Sequence, residues 1–106
     1  MRIEMNDETE RKLLERIGDR PGCVKLYYDI EDCGCNGVLI LQILDKPLDT
    51  DLRIQGKHFE MAVDPQQAQR LDEVMRVEAE PGFPTFRISS DSGWYGSNVP
   101  VVDARE

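Results

Sequence analysis

The chain has 106 residues, a length that supports one compact core and no more. Its 21 Asp and Glu against 13 Lys and Arg leave a net charge of -8. That balance argues against nucleic acid and against an anionic membrane surface as partners, because both need clustered cationic side chains. The three cysteines (Cys23, Cys33, Cys35) and one histidine (His58) exclude a four-cysteine zinc site, or a two-cysteine, two-histidine one, within a single chain.

Met1, Ile3 and Met5 alternate with polar residues, as a short strand does. Asn6 or Asp7 can cap a following helix, and Glu10 lies at capping-box spacing from Asp7. Leu13, Leu14 and Ile17 form one helical stripe, which Gly18 and Pro21 bring to a stop. Val24, Leu26, Tyr28 and Ile30 alternate with Lys25, Tyr27 and Asp29, the pattern of a half-buried strand. Residues 38–44 read as a strand buried on both faces, or nearly so. Leu52 and Ile54 before Gln55-Gly56, with Phe59, Met61 and Val63 after it, predict a hairpin.

Asp64-Pro65-Gln66-Gln67 is a helix start, with Asp as N-cap and Pro at the first helical position. The helix is either short, or continues through residues 65–77. In the first case Met75, Val77 and Ala79 belong to a strand paired through Pro81-Gly82 with Phe86 and Ile88. Residues 89–98 are rich in Ser, Gly and Asn and read as turns carrying Trp94 and Tyr95. The expected architecture is a single α+β, β-dominated domain over residues 1–106, with about seven short strands, an N-terminal helix and one short internal helix. The start of the chain lacks an apolar run of signal-peptide length, and the longest apolar stretch, around residues 38–44, is far short of the ~20 residues of a membrane span. With an odd cysteine count, this predicts a cytoplasmic protein.

The chemistry concentrates in Glu31-Asp32-Cys33-Gly34-Cys35-Asn36-Gly37, between two strands. Loops on a rigid scaffold are where functional groups are often presented. Two thiols flanking a glycine can both reach one soft metal, and thiolates select iron–sulfur clusters, zinc or Cu(I) over hard cations. A four-ligand site needs two more groups. The same cysteines of a symmetric partner could supply them, or Cys23 could act as a third ligand. The competing readings are inert packing thiols and a strained, labile disulfide.

Several segments resemble the A-type iron–sulfur carrier, or HesB-like, family. They are the strand at 24–30, the turn Gly34-Cys35-Asn36-Gly37 and the strand leading into Asp45-Lys46-Pro47. Met61-Ala62-Val63-Asp64, Leu71-Asp72, Gly82-Phe83, Phe86 and the Ser/Asn-rich tail resemble it too. The resemblance implies a β-rich pseudobarrel that holds iron or a [2Fe-2S] cluster; the residues themselves show no Ser/His/Asp arrangement, phosphate loop or paired-carboxylate motif, which predicts a protein that is not an enzyme. The resemblance also implies a homodimer and transfer to iron–sulfur assembly or client proteins. Cys35 takes the place of that family's first ligand and Cys33 is an additional thiol. The family's second Cys-Gly-Cys, near the C-terminus, has no counterpart, because no cysteine follows Cys35 and the tail carries Gly93-Trp94-Tyr95-Gly96. The alternative is a metal-free interaction module that uses Trp94 and Tyr95 as its contact surface, exposed aromatics being frequent interface anchors. His58 reads as a solvated surface residue. Asp49, Asp51 and Asp64 lack calcium-loop spacing and read as caps and turns.

Overall fold

The computed structural model describes residues 1–29 and 38–105. Among these residues are nine strands and two helices: β1 (Arg2–Glu4), α1 (Asp7–Ile17), β2 (Cys23–Asp29), β3 (Val38–Leu44), β4 (Leu52–Gln55), β5 (Glu60–Val63), α2 (Pro65–Ala68), β6 (Val74–Ala79), β7 (Phe86–Ser90), β8 (Gly93–Val99) and β9 (Val101–Asp103). They form a four-stranded sheet ordered β1-β6-β7-β8 and a five-stranded sheet ordered β4-β5-β2-β3-β9. The expected β-dominated α+β architecture is present, with two strands more than the sequence pattern suggests.

Helix α1 begins at Asn6, whose side chain accepts from the Thr9 amide at 2.8 Å and the Thr9 hydroxyl at 2.6 Å. Asn6 rather than Asp7 is therefore the cap, and the expected Asp7/Glu10 box is replaced by Asn6 and Thr9. The Thr9 oxygen in turn accepts from the Ala79 amide at 2.9 Å, beyond the point where β1 stops pairing with β6. Gly18 ends the helix at φ 69°, a conformation glycine adopts without a Cβ penalty. Leu13 and Ile17 are buried, whereas Leu14 lies partly in solvent, so the apolar stripe is narrower than the sequence suggests.

Between the sheets lies one apolar cluster. Val24, Leu26, Leu41, Ile43, Met61 and Val63 come from the five-stranded sheet, and Met75, Val77, Phe86, Ile88 and Val99 from the other. The strand β2 pairs antiparallel with β3 on one edge and parallel with β5 on the other. Its outward residues Cys23 and Lys25 are buried as well and Tyr27 partly so, which corrects the half-buried expectation for the first half of the strand. Lys25 is 4% exposed and Asp51 8%, and the Lys25 Nζ lies 3.0 Å from Asp51 Oδ1. The other Asp51 oxygen accepts from the Leu48 amide, so the segment after β3 is fastened over this outer face. Burying the lysine is tolerable because its charge is paired and the carboxylate is hydrogen-bonded.

The predicted hairpin of β4 and β5 is observed, with Leu52 opposite Val63. A Cβ at Gly56 would stand 2.4 Å from the Phe59 carbonyl oxygen, so that turn admits only glycine. Helix α2 is the short alternative, capped by Asp64, and the strand alternative holds for β6. The turn-rich reading of 89–98 is overturned, because Ser89 and Ser90 end β7 and β8 pairs with it; beyond that stretch β9 pairs parallel with β3. Propensity hides β8 because its Gly and Asn residues are poor strand formers and the β7/β8 register is irregular. The chain changes sheets at Pro100, with Val99 opposite Phe86 and Val101 opposite Leu41.

The C-terminal segment is tied to α1 by Arg105. Its Nη1 donates to the Ile17 carbonyl at 2.7 Å, and its Nη2 meets Asp103 Oδ2 at 2.8 Å. The Arg105 bonds to Asp103 hold that carboxyl down at about 2. A depressed folded-state value contributes stability above the ordinary 3.8 that is lost as pH falls towards about 2. Urea midpoints of the wild type should drop between about pH 4 and pH 2 by a component missing in Asp103→Asn. In the same assay at neutral pH, Lys25→Met alone should cost about 3–5 kcal/mol by leaving Asp51 buried and unpaired, and Lys25→Met with Asp51→Leu should cost less.

Candidate functional site

Cys33 and Cys35 lie outside the described residues. What the structure defines is the platform from which their segment departs and to which it returns. The β2/β3 ladder runs from Cys23 opposite Leu44 to Asp29 opposite Val38. The joined strand ends are therefore immediate neighbours in one sheet. The third thiol, Cys23, stands at the other end of β2, roughly 20 Å away along the strand. It is 2% exposed and free of any disulfide. Burial pushes its thiol up, and the nearby Glu60 carboxylate does so further. Both effects oppose the thiolate, so Cys23 is a packing residue and not the third ligand considered from the sequence.

The platform itself carries aromatic and polar groups. Tyr28, opposite Leu39, packs partly against the core, and its hydroxyl is pushed up by burial and by the neighbouring Tyr95 phenol. Arg70 acts in the opposite direction on Tyr28. The Gln67 side chain bonds to both backbone groups of Tyr28: the Tyr28 amide donates to Oε1 at 3.0 Å, and Nε2 donates to the Tyr28 carbonyl at 3.3 Å. Asp72 accepts from the Ser90 hydroxyl and also from Ser92 and Tyr95, and these bonds hold its carboxyl below the usual range. Tyr95 is thus fixed between Asp72 and Tyr28, which brings the tail to the end of the sheets where the cysteine segment attaches.

Trp94 points the other way. It is 71% exposed, on the outer surface of the four-stranded sheet, with the Arg87 guanidinium 5.6 Å from its ring centre. Arg87 Nη2 lies 3.6 Å from Glu78, and Arg87 Nε is buried without a hydrogen-bond acceptor. An open groove of about 410 Å³ runs along Arg87, Trp94, Tyr95, Gly96 and Ser97. Both aromatics therefore border the groove, Trp94 exposed on the outer surface and Tyr95 partly buried against the core.

His58 is exposed, 3.8 Å from a Glu10 oxygen. Among the described residues no three His, Cys, Asp or Glu side chains gather to hold a metal ion. No described helix is long and apolar enough to cross a membrane. Sequence reasoning missed Gln67 and Lys25. In its local context Gln67 is ordinary support for a helix start. Lys25 falls on the solvent side of an alternating strand, and no local signal marks its distant partner Asp51.

No curated protein matches the chain. Solved structures share its fold at low identity. A protein from Lactobacillus salivarius assigned to Fe-S biosynthesis has a TM-score of 0.81 at 16% identity, with both chains covered in full. A Lactobacillus acidophilus protein assigned to the same process has 0.72 at 18% identity, over 97% of this chain and 90% of the other. IscA with the [2Fe-2S] cluster has 0.52 at 18% identity, over 88% of this chain and 95% of the other. The family model for iron-sulphur cluster biosynthesis matches residues 1–103, and the chain belongs to that family.

Proposed function

We propose that this protein is a cytosolic carrier which holds iron or a [2Fe-2S] cluster on the thiolates of Cys33 and Cys35 and passes it to assembly or client proteins. Membership of the iron-sulphur cluster biosynthesis family supports a role in that process. The observation that carries the finer reading is the register of β2 on β3. Cys33 and Cys35 both belong to the short connection between the paired residues Asp29 and Val38. A pair of thiols on one short connection is tethered for a single soft ion, and thiolate is the ligand iron–sulfur clusters take. The pair supplies half of a four-thiolate set, and a second copy related by a twofold axis supplies the other half. The iron or cluster is cargo in this reading, and the protein performs no bond chemistry of its own.

Anaerobic incubation with ferrous iron and sulfide should yield visible absorption at one cluster per two chains, with a matching dimer in gel filtration. Cys33→Ser combined with Cys35→Ser should abolish the absorption. Unchanged absorption in that double variant would refute the reading.

A second reading is favoured by the exposure of Trp94 over Arg87. In it the protein is a metal-free module that docks assembly proteins through this surface. Capture of assembly partners by the immobilised apoprotein should then be lost in Trp94→Ala and retained in the double cysteine variant. The carrier reading expects the opposite dependence. The Trp94→Ala fold itself should lose no more than about 1 kcal/mol, the scale of an exposed cation–π contact.

A further inference from the structure

The outer face of the four-stranded sheet sets Arg87 on β7 opposite Glu78 on β6, and Trp94 on β8 opposite Ser89, two residues along β7 from Arg87. These side chains share one face, because Val77 and Ile88, the adjacent residues along β6 and β7, are buried on the inner one. Two arginines of this face are held differently. Arg76 meets Asp91 at 2.8 Å and Glu4 at 3.5 Å. Among the described residues Arg87 has Glu78 as its carboxylate, at 3.6 Å, which is beyond hydrogen-bond distance. Its Nε is buried without an acceptor, the one such side-chain atom among the described residues. The Trp94 ring, 5.6 Å from the guanidinium carbon, engages the cation through its π-face and accepts no N–H in the plane of the fork. Buried donors in folded proteins are nearly always matched, so a poorly matched guanidinium in the wall of a groove calls for an acceptor from what binds there.

We infer that the groove along Arg87, Trp94, Tyr95, Gly96 and Ser97 takes an acidic peptide segment, one carboxylate of which is held by Arg87. This rests on the reading of the Trp94 surface as a docking face. A carboxylate has the planar, two-oxygen shape that a guanidinium binds with two parallel hydrogen bonds. The groove, at about 410 Å³, is larger than one carboxylate fills, and Trp94 adds an exposed ring to its wall. The occupant therefore carries an apolar group beside its acid. Four successive residues of β8 line the groove, and β8 ends the sheet order, so the groove follows an edge strand and suits an extended chain. Residues 92–102 contain no charge, so β8 itself does not repel an acidic segment. The net charge of -8 repels a polyanion, which confines the occupant to a few carboxylates. Glu78 competes for the same guanidinium and keeps the binding reversible.

The test uses the full chain, whose single tryptophan, Trp94, is the fluorescent reporter. The probe is an acetylated, amidated Ser-Val-Glu-Val-Ser peptide, in which the Glu side chain is the only carboxylate. The same peptide with Gln in place of Glu is its control. The Glu peptide should shift Trp94 emission saturably, and the Gln peptide should bind roughly tenfold more weakly, the scale of one charge-assisted hydrogen bond. Arg87→Lys keeps the charge and loses the fork, and should weaken the Glu peptide by a similar factor. Glu78→Gln removes the competing carboxylate and should tighten it. Acetate at the same concentration should leave the emission unchanged. The inference is overturned if neither peptide shifts the emission, if the Gln peptide binds as tightly, or if Arg87→Lys binds like wild type. It is also overturned if Glu78→Gln weakens binding, or if acetate gives the same shift, which would make the site one for a free carboxylate. If Trp94→Ala captures assembly partners as wild type does, the docking reading falls and this inference with it. If capture is lost in Trp94→Ala and retained in Arg87→Lys, the docking reading stands and this inference alone falls.

Discussion

Strand β2 is hydrogen-bonded along both edges and covered on both faces, and most of the molecule is arranged by that condition. A strand in this position must satisfy its buried backbone groups with protein partners and place the side chains of residues 23–26 in a low-dielectric interior. The inner residues Val24 and Leu26 meet this by packing against the other sheet. The outer residues include Lys25, whose charge requires a counter-ion. Asp51 comes from the segment after β3 for that purpose and draws the segment down over the sheet. Where β5 turns away, the need for backbone partners persists, and Gln67 meets it. The path of the chain from 45 to 67 can be read as the answer to what β2 requires.

The two sheets are held in one piece by the stretch that forms β8 and β9. One run of residues pairs first with β7 and then with β3, changing sheets at Pro100. Pro100 has no N–H to satisfy at the crossing, while its carbonyl accepts from the Leu41 amide at 3.0 Å. Arg105 then closes the end of α1 against the same stretch. The tail is therefore structural throughout most of its length. Tyr95 belongs to its packed side and Trp94 to its free side. Where the resemblance to A-type carriers leads one to expect ligand cysteines, this chain uses its tail to join sheets and to present one aromatic ring.

For a member of the iron-sulphur cluster biosynthesis family, this arrangement sets the described scaffold apart from the connection that carries the proposed cargo site. The scaffold is closed, paired and ion-clamped. Cys33 and Cys35, the ligands proposed above, fall in the single connection between the paired residues Asp29 and Val38. Cys23 is kept out of that chemistry by burial and by the Glu60 charge, both of which disfavour its thiolate. Under the proposed reading two thiols per chain face a cation, and that is the chemical ground for proposing that a second copy completes the ligand set.

Local sequence was enough for every element whose signal is local. The alternation in β2, β6 and β7, the Asp64-Pro65 cap and the Gly56 turn each depend on neighbours a few residues away, and each is present. The Cys-Gly-Cys segment was equally visible as the place where chemistry concentrates, because soft ligands at close spacing are a property of composition. Pairings over long distances were not legible. Lys25 finds Asp51 across 26 residues, Gln67 finds Tyr28 across 39, and Thr9 finds Ala79 across 70. Strand β8 was hidden for the same reason. Gly and Asn have little strand preference of their own, and the stretch that carries them becomes a strand because the edge of β7 binds it. The sequence by itself determined the periodicities, the caps and the place of the thiols. Only the tertiary structure decided which charges are buried in pairs, which thiol is inert and which side chain completes a sheet edge, because each depends on groups that folding alone brings together.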